Sequence, residues 1–201
     1  MYKKKPLFIV FEGVEGSGKS YQSKKLYDRL KKLKVDAILT REPGGTKSSE
    51  LIRNLILKDY FTKDSKEKFD KYTDTLLYLA ARNEHIKNKI KPAFQKKKVV
   101  ICDRFIDSTI AYQVHGKKVD INFINNIHKK ILQGITPNIV FVLKVSMESS
   151  KKRLKKRKTK NRYDNFSQSF YKKAQNAFIK LAKNRKNYFT LNSSLNDNSL
   201  E

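Results

Sequence analysis

Apolar residues recur along this chain with two different periods. Residues 7–11 are apolar without interruption and stop at Glu12-Gly13, the signature of a strand buried on both faces of a parallel sheet. From Ser20 the spacing becomes helical, with Leu26, Leu30 and Leu33 on one stripe. A second strand is predicted over 35–40. After the Pro43-Gly44-Gly45 break, Leu51, Ile52, Leu55 and Ile56 predict a short amphipathic helix. Residues 69–84 predict a helix centred on Leu76, Leu77 and Leu79, and 86–97 another in which Pro92 starts or kinks a segment. Further strands are predicted over 99–102, 139–143 and 188–191, and helices over 121–132, 147–157 and 167–186. Apolar strands alternating with helices predict an α/β fold, with a five-stranded parallel sheet covered by helices on both faces. No repeat, low-complexity tract or linker marks a boundary, so residues 1–201 are expected to form one domain.

Composition narrows the class. Apolar residues make up 38%, with 12 Phe and 10 Tyr, too many for a disordered chain. Cys102 is the single cysteine and closes no internal disulfide, which suits a reducing compartment. Lys3-Lys4-Lys5 before the apolar run imitates a signal peptide, but the run is short and Glu12 interrupts it. Nor is there a run of about 18 apolar residues that would span a membrane. A cytoplasmic protein without a membrane partner is expected.

Charge changes the picture less than its size suggests. The chain carries 46 Lys and Arg against 19 Asp and Glu, a formal net charge of +27. Such an excess attracts polyanions, yet only nine of the basic residues are Arg, the usual choice for planar bidentate recognition. A solvated Lys-rich surface is the favoured reading over a nucleic-acid surface. From Lys151 to Lys160, eight of ten residues are basic, and that segment needs its own explanation.

The chemistry begins at Gly13-Val14-Glu15-Gly16-Ser17-Gly18-Lys19-Ser20, which matches G-x-x-x-x-G-K-[ST]. The glycines let backbone N–H groups turn toward phosphate oxygens, and the following helix adds its N-terminal dipole. Lys19 can reach the terminal phosphates of a nucleoside triphosphate and the Ser20 hydroxyl can ligate Mg²⁺. Asp103, at the end of the third strand, is a second candidate Mg²⁺ ligand, although strands also end in Asp as a helix cap. His85, His115 and His128 lie in stretches that suggest no partner for any of them.

Three more segments accompany the cradle: Thr40-Arg41-Glu42-Pro43-Gly44-Gly45-Thr46, Ala80-Ala81-Arg82, and Asp103-Arg104-Phe105 running on to Ser108 and Ala111-Tyr112-Gln113. With Phe11-Glu12-Gly13 they resemble the thymidylate kinase family, in order and spacing, from about residue 7 to 191. The resemblance implies a three-layer P-loop kinase fold that transfers the γ-phosphoryl group of ATP to dTMP with Mg²⁺. It further implies a catalytic set of Lys19, Arg104, Asp103, Arg41, Glu12, Glu15, Arg153 and Arg157. Arg41 and Arg104 go to the acceptor phosphate and Arg82 to the thymine edge. Tyr78 stands where the family usually has a base-stacking Phe. Pro43, Ser108, Thr109 and Gln113 join the same wall, Tyr112 stands near the sugar against a 2′-hydroxyl, and Glu15 near the 3′-hydroxyl.

The basic segment falls where the family has a lid, about 150–165, from which Arg153, Arg157 and Arg162 would reach the ATP phosphates. Arg153 and Arg157 are one helical turn apart. Family members usually continue past the last strand into a further helix, whereas this sequence stops at Glu201, so either a trimmed chain or a protein without that element is expected. A homodimer packed through helices such as 69–84 and 105–113 is expected, with ATP and dTMP as ligands and no nucleic acid. Two rivals stay open: a kinase of another nucleotide or nucleoside, and a nucleic-acid-binding P-loop ATPase.

Overall fold

The structure is a computed structural model that describes residues 6–58, 67–156, 163 and 166–194. Its centre is a sheet of parallel strands β1 (Phe8–Glu12), β2 (Ala37–Arg41), β3 (Val99–Asp103), β4 (Ile139–Lys144) and β5 (Tyr188–Asn192), in the order β2-β3-β1-β4-β5. The chain builds β2 and β3 on one side of β1, then crosses over to add β4 and β5. Ligands of open parallel sheets seat at the carboxyl ends beside such a crossover.

Alternate residues of the strands serve opposite faces. Phe8, Val10, Val100, Cys102, Val140 and Val142 join one buried cluster with Ile86, Ile90, Ala174, Ala177 and Phe178. Ile9, Phe11, Ile101 and Leu143 face the other way, against Leu26, Tyr27 and Leu30. Both faces are therefore covered, as expected. Toward β5 the second face thins out, and Phe189 is half-exposed beside Phe141.

Local chemistry sets the helix ends. Helix α1 (Lys19–Lys32) starts after Gly18, which offers no capping side chain. Helix α2 (Lys47–Leu57) begins earlier than its apolar spacing implies, because Thr46 and Ser49 form a reciprocal capping box. Helix α3 (Lys71–His85), capped by Asp70, runs through a π-helical turn, Ile86–Ile90, into α4 (Lys91–Gln95). Pro92 sits in the first turn of α4, where its missing N–H is tolerated. The predicted helix over 105–113 is a short α5 (Ile106–Thr109) followed by a π-helix, Ile110–Gly116. Helices α6 (Ile121–Ile131), α7 (Met147–Lys155) and α8 (Gln168–Lys183) are capped by Asp120, Ser146 and Ser167.

Candidate active site

A cavity of about 520 Å³ is lined by residues of the cradle, the strand ends and the helices above them. On the cradle side, the Lys19 ammonium is buried and donates to the Val14 carbonyl at 2.8 Å and to Ser17 Oγ at 3.4 Å. Burial, with the positive charge of Arg104, pulls Lys19 down to about 8, against the pull of Glu15, Asp103 and Glu12. A phosphate at that place would satisfy the charge that the cradle desolvates. Gly16 has φ +73°, and a Cβ there would lie 2.8 Å from the Ser150 carbonyl, so only glycine lets α7 close on the loop. Gly16, Gly18, Lys19, Ser20 and Glu15 line the cavity, whereas Gly13, Val14 and Ser17 build the loop behind it.

Asp103 ends β3 directly across from Ser20, whose hydroxyl donates to Asp103 Oδ2. Oδ1 of Asp103 is buried and has no hydrogen-bond partner among the described residues. A hydroxyl and an orphaned carboxylate oxygen are the donor set of a Mg²⁺ that completes its shell with water and phosphate, so the pair fits the ion. Among the described residues no cluster of three or more His, Cys, Asp or Glu forms a separate metal cage.

Arg104 follows Asp103 in a left-handed backbone, φ +73°. Its N–H bonds the Phe11 carbonyl at 2.9 Å, while its guanidinium reaches the Gly13 carbonyl at 2.9 Å, Ser108 Oγ at 3.1 Å and Glu15 Oε1 at 2.8 Å. Burial opposes its charge, but Glu15, Asp103 and Glu12 outweigh burial and keep it cationic. Glu12, expected in the catalytic set, lies behind the cavity rather than in its lining. Its carboxylate is fully buried and accepts from Phe105 N (2.8 Å), Ser108 N (3.2 Å) and Ser108 Oγ (2.6 Å). It anchors the loop that carries Arg104.

The opposite wall holds the predicted acceptor residues Arg41, Pro43, Tyr78, Arg82, Arg104, Ser108, Thr109, Tyr112 and Gln113, all lining the one cavity. Arg41, at the end of β2, is half-exposed and paired with Glu50 at 3.1 Å. Glu50 also accepts from Gly45 N at 2.8 Å. A Cβ on Gly45 would lie 2.5 Å from Thr40 Oγ1 and 2.8 Å from the His85 ring, which is why the turn after β2 needs glycine there. The Tyr78 hydroxyl, which needed a partner, bonds Tyr163. Tyr112 lies under Arg104, whose Cζ is 5.3 Å from the ring centroid. The Tyr112 hydroxyl and Gln113 Nε2 are buried without a partner among the described residues and stand ready for a ligand's polar groups.

Arg82 is 3% exposed and held on several sides: Glu42 Oε2 at 2.8 Å, Thr109 Oγ1 at 2.9 Å, His128 Nε2 at 2.7 Å and the Phe105 carbonyl at 2.8 Å. Glu42 is shared with His85 Nδ1 at 3.0 Å, and His85 Nε2 meets Thr40 Oγ1 at 2.7 Å. Burial acts to raise Glu42, but Arg82 and His85 outweigh it and hold the carboxyl below its ordinary value. Two of the three histidines thus have partners that no sequence neighbour revealed.

Arg153 of α7 lines the cavity and donates to the Gly16 carbonyl at 3.2 Å and the Ser193 carbonyl at 2.6 Å. Ser150 Oγ bonds the Glu15 carbonyl at 2.8 Å, and Ser193 Oγ the Ser17 carbonyl at 2.8 Å. Helix α7 is therefore fastened to the cradle backbone. Arg157 and Arg162 lie outside the described residues. Arg53 was not anticipated; it lines the cavity from α2 and donates to the Pro43 carbonyl at 2.6 Å. Five of the nine arginines, Arg41, Arg53, Arg82, Arg104 and Arg153, line this one cavity. In so Lys-rich a chain, the retention of Arg was the available signal.

A phosphate loop between β1 and α1, facing a basic and aromatic pocket across the carboxyl edge of a parallel sheet, defines a P-loop kinase. The thymidylate kinase family model matches residues 11–201. A thymidylate kinase of Halothermothrix orenii is 40% identical over 183 residues, 90% of this chain and 86% of that protein. One of Sulfurihydrogenibium sp. is 38% identical over 184 residues, 92% and 87% of the two chains. The crystal structure of thymidylate kinase from Ehrlichia chaffeensis superposes with a TM-score of 0.74 at 32% identity, covering 96% of this chain and 90% of that one. This chain belongs to the thymidylate kinase family.

Proposed function

We propose that this enzyme transfers the γ-phosphoryl group of ATP to dTMP, giving dTDP and ADP. The observation that carries the reading is the single cavity in which the cradle residues Lys19 and Ser20 face Arg41, Arg104, Arg82, Tyr78 and Tyr112. A monophosphate is largely dianionic near neutral pH, since its second pKa is about 6, so the attacking oxygen needs no general base. What the reaction needs is two phosphates held in line against their repulsion. Lys19 and the loop N–H groups hold ATP, while Arg41 and Arg104 hold the acceptor. Arg153 is a lid cation already bonded to the loop. Ser20 and Asp103 would hold Mg²⁺, which would supply neutralisation of the phosphate charge. Glu15, bonded to Arg104, orients that cation and offers an acceptor to a sugar hydroxyl. Incubation with MgATP and dTMP should yield dTDP and ADP in equal amounts; dTMP left intact would overturn the reading.

A homodimer fits the surface, though not through the 105–113 segment. Phe105, Asp107, Ser108, Thr109, Ala111, Tyr112 and Gln113 are buried inside the protomer. Exposed apolar side chains lie instead on the packed pair α2 and α3, at Leu51, Leu55, Tyr72 and Leu76. Sedimentation at micromolar concentration should give twice the chain mass, and Leu76→Glu should give the single mass. The lone buried Cys102 suits the reducing cytoplasm. Among the described residues no helix is long and apolar enough to cross a membrane.

A further inference from the structure

We infer that His128, which lines no part of the cavity, is a positioning residue that fixes the base-reading arginine and thereby the choice of pyrimidine. The inference rests on the proposed placement of dTMP in the cavity beside Arg82.

A guanidinium has five N–H donors and no acceptor. In Arg82, Nε goes to Glu42, Nη1 to Thr109 and His128, and one hydrogen of Nη2 to the Phe105 carbonyl. One Nη2 hydrogen is left without an acceptor among the described residues, on a side chain that lines the cavity. That donor suits a carbonyl oxygen on a pyrimidine ring and repels an exocyclic amino group.

Because Arg82 can only donate, His128 Nε2 must accept, so the ring is neutral with its proton on Nδ1. The surroundings enforce that state: burial, with Arg82 beside it, pulls His128 down to about 3. A neutral acceptor is what the site requires. Glu42 already supplies the counter-charge to Arg82, and a second carboxylate would add negative charge beside an anionic substrate. His128 comes from α6, whereas Arg82 is on α3, Glu42 follows β2 and Thr109 ends α5. Removing the histidine acceptor leaves one Nη1 hydrogen buried and unpaired, so the rigid guanidinium tilts as a unit and the aim of the remaining Nη2 hydrogen shifts with it.

The test compares wild type, His128→Phe, His128→Gln, Arg82→Gln and the Arg82→Gln/His128→Phe pair in steady-state kinetics, with dTMP and dCMP as acceptors. His128→Phe, or His128→Leu where the aromatic variant does not fold, should raise the KM for dTMP about tenfold, as expected for a buried donor left unpaired. The KM for ATP and kcat should stay within about twofold, and the preference for dTMP over dCMP should fall in proportion. His128→Gln, which keeps an acceptor, should recover most of both. The paired variant should be no worse than Arg82→Gln alone. An unchanged KM for dTMP in His128→Phe, no recovery in His128→Gln, or additive losses in the pair would overturn the inference. Wild-type enzyme that leaves dTMP intact would instead overturn the proposed function, and is measured first.

Discussion

Arg104 and Glu15 face each other at 2.8 Å across the line where the phosphate loop meets the end of β3. The pair joins the two halves of the cleft, because the same guanidinium also touches the Gly13 carbonyl and Ser108. Arg104 is thus positioned before any acceptor arrives. Arg104→Ala should lower kcat about 10²–10³-fold, the usual loss for one preorganised donor in phosphoryl or acyl transfer. ATP affinity, measured by calorimetry, should change less than about threefold. Loss of ATP binding in parallel with turnover would place Arg104 on the wrong side of the cleft.

The anchor behind Arg104 should show itself in stability. Burial, reinforced by Asp107, pushes Glu12 from its ordinary 4.5 up to about 7, against its bonds from Ser108 and Phe105 and the charge of Arg104. A raised folded value means that the folded state holds the proton more tightly. The stabilising contribution of Glu12 is therefore complete below about pH 4.5 and is lost as pH rises through about 7. Glu12→Gln is neutral throughout and keeps an acceptor for both N–H groups. Relative to wild type, it should gain stability in urea between pH 5 and pH 8. A constant difference at the two pH values would show that Glu12 titrates normally.

How far these features could be read in advance differs from residue to residue. The five strands were legible as apolar runs, but each ends one residue later than its run, at Glu12, Arg41, Asp103, Lys144 and Asn192. Hydrogen bonding continues after hydrophobicity stops, and three of those extra residues were assigned to the site. The cradle and the Gly44-Gly45 turn were legible because their backbone conformations demand glycine. His85 and His128 were not, since their partners lie 45 and 46 residues away. No local pattern encodes such a pairing. The π-helical turns, which carry Ile86–Ile90 and Tyr112-Gln113, likewise leave no periodic mark.

Lys19 should couple ATP binding to protons. Its buried ammonium titrates at about 8, and a triphosphate favours the charged form. Above about pH 8, binding should therefore take up a proton, and ATP affinity should fall as pH rises. Calorimetry at pH 8.5 in two buffers of different ionisation enthalpy should show apparent binding enthalpies that differ with buffer. Identical enthalpies would mean that Lys19 is charged before ATP arrives.

At Tyr78, ring and hydroxyl have separable roles. The ring lines the acceptor pocket, and the hydroxyl bonds Tyr163. Tyr78→Phe should leave the KM for dTMP within about threefold and cost about 1 kcal/mol of stability, a typical net hydrogen bond. Tyr78→Ala should raise that KM about tenfold or more, because a stacked aromatic contributes about 1–3 kcal/mol per base. Equal effects of the two variants would remove the stacking role.

A single cavity that selects dTMP as acceptor for the γ-phosphoryl of ATP makes a direct demand on turnover. The most direct measurement is ADP release from MgATP with dTMP, dUMP, UMP or no acceptor, at physiological salt and with added DNA as a further arm. Fast release is expected with dTMP, slower release with dUMP, little with UMP, and no stimulation by DNA. Release that favours UMP, or that depends on DNA rather than on a nucleotide acceptor, would contradict it.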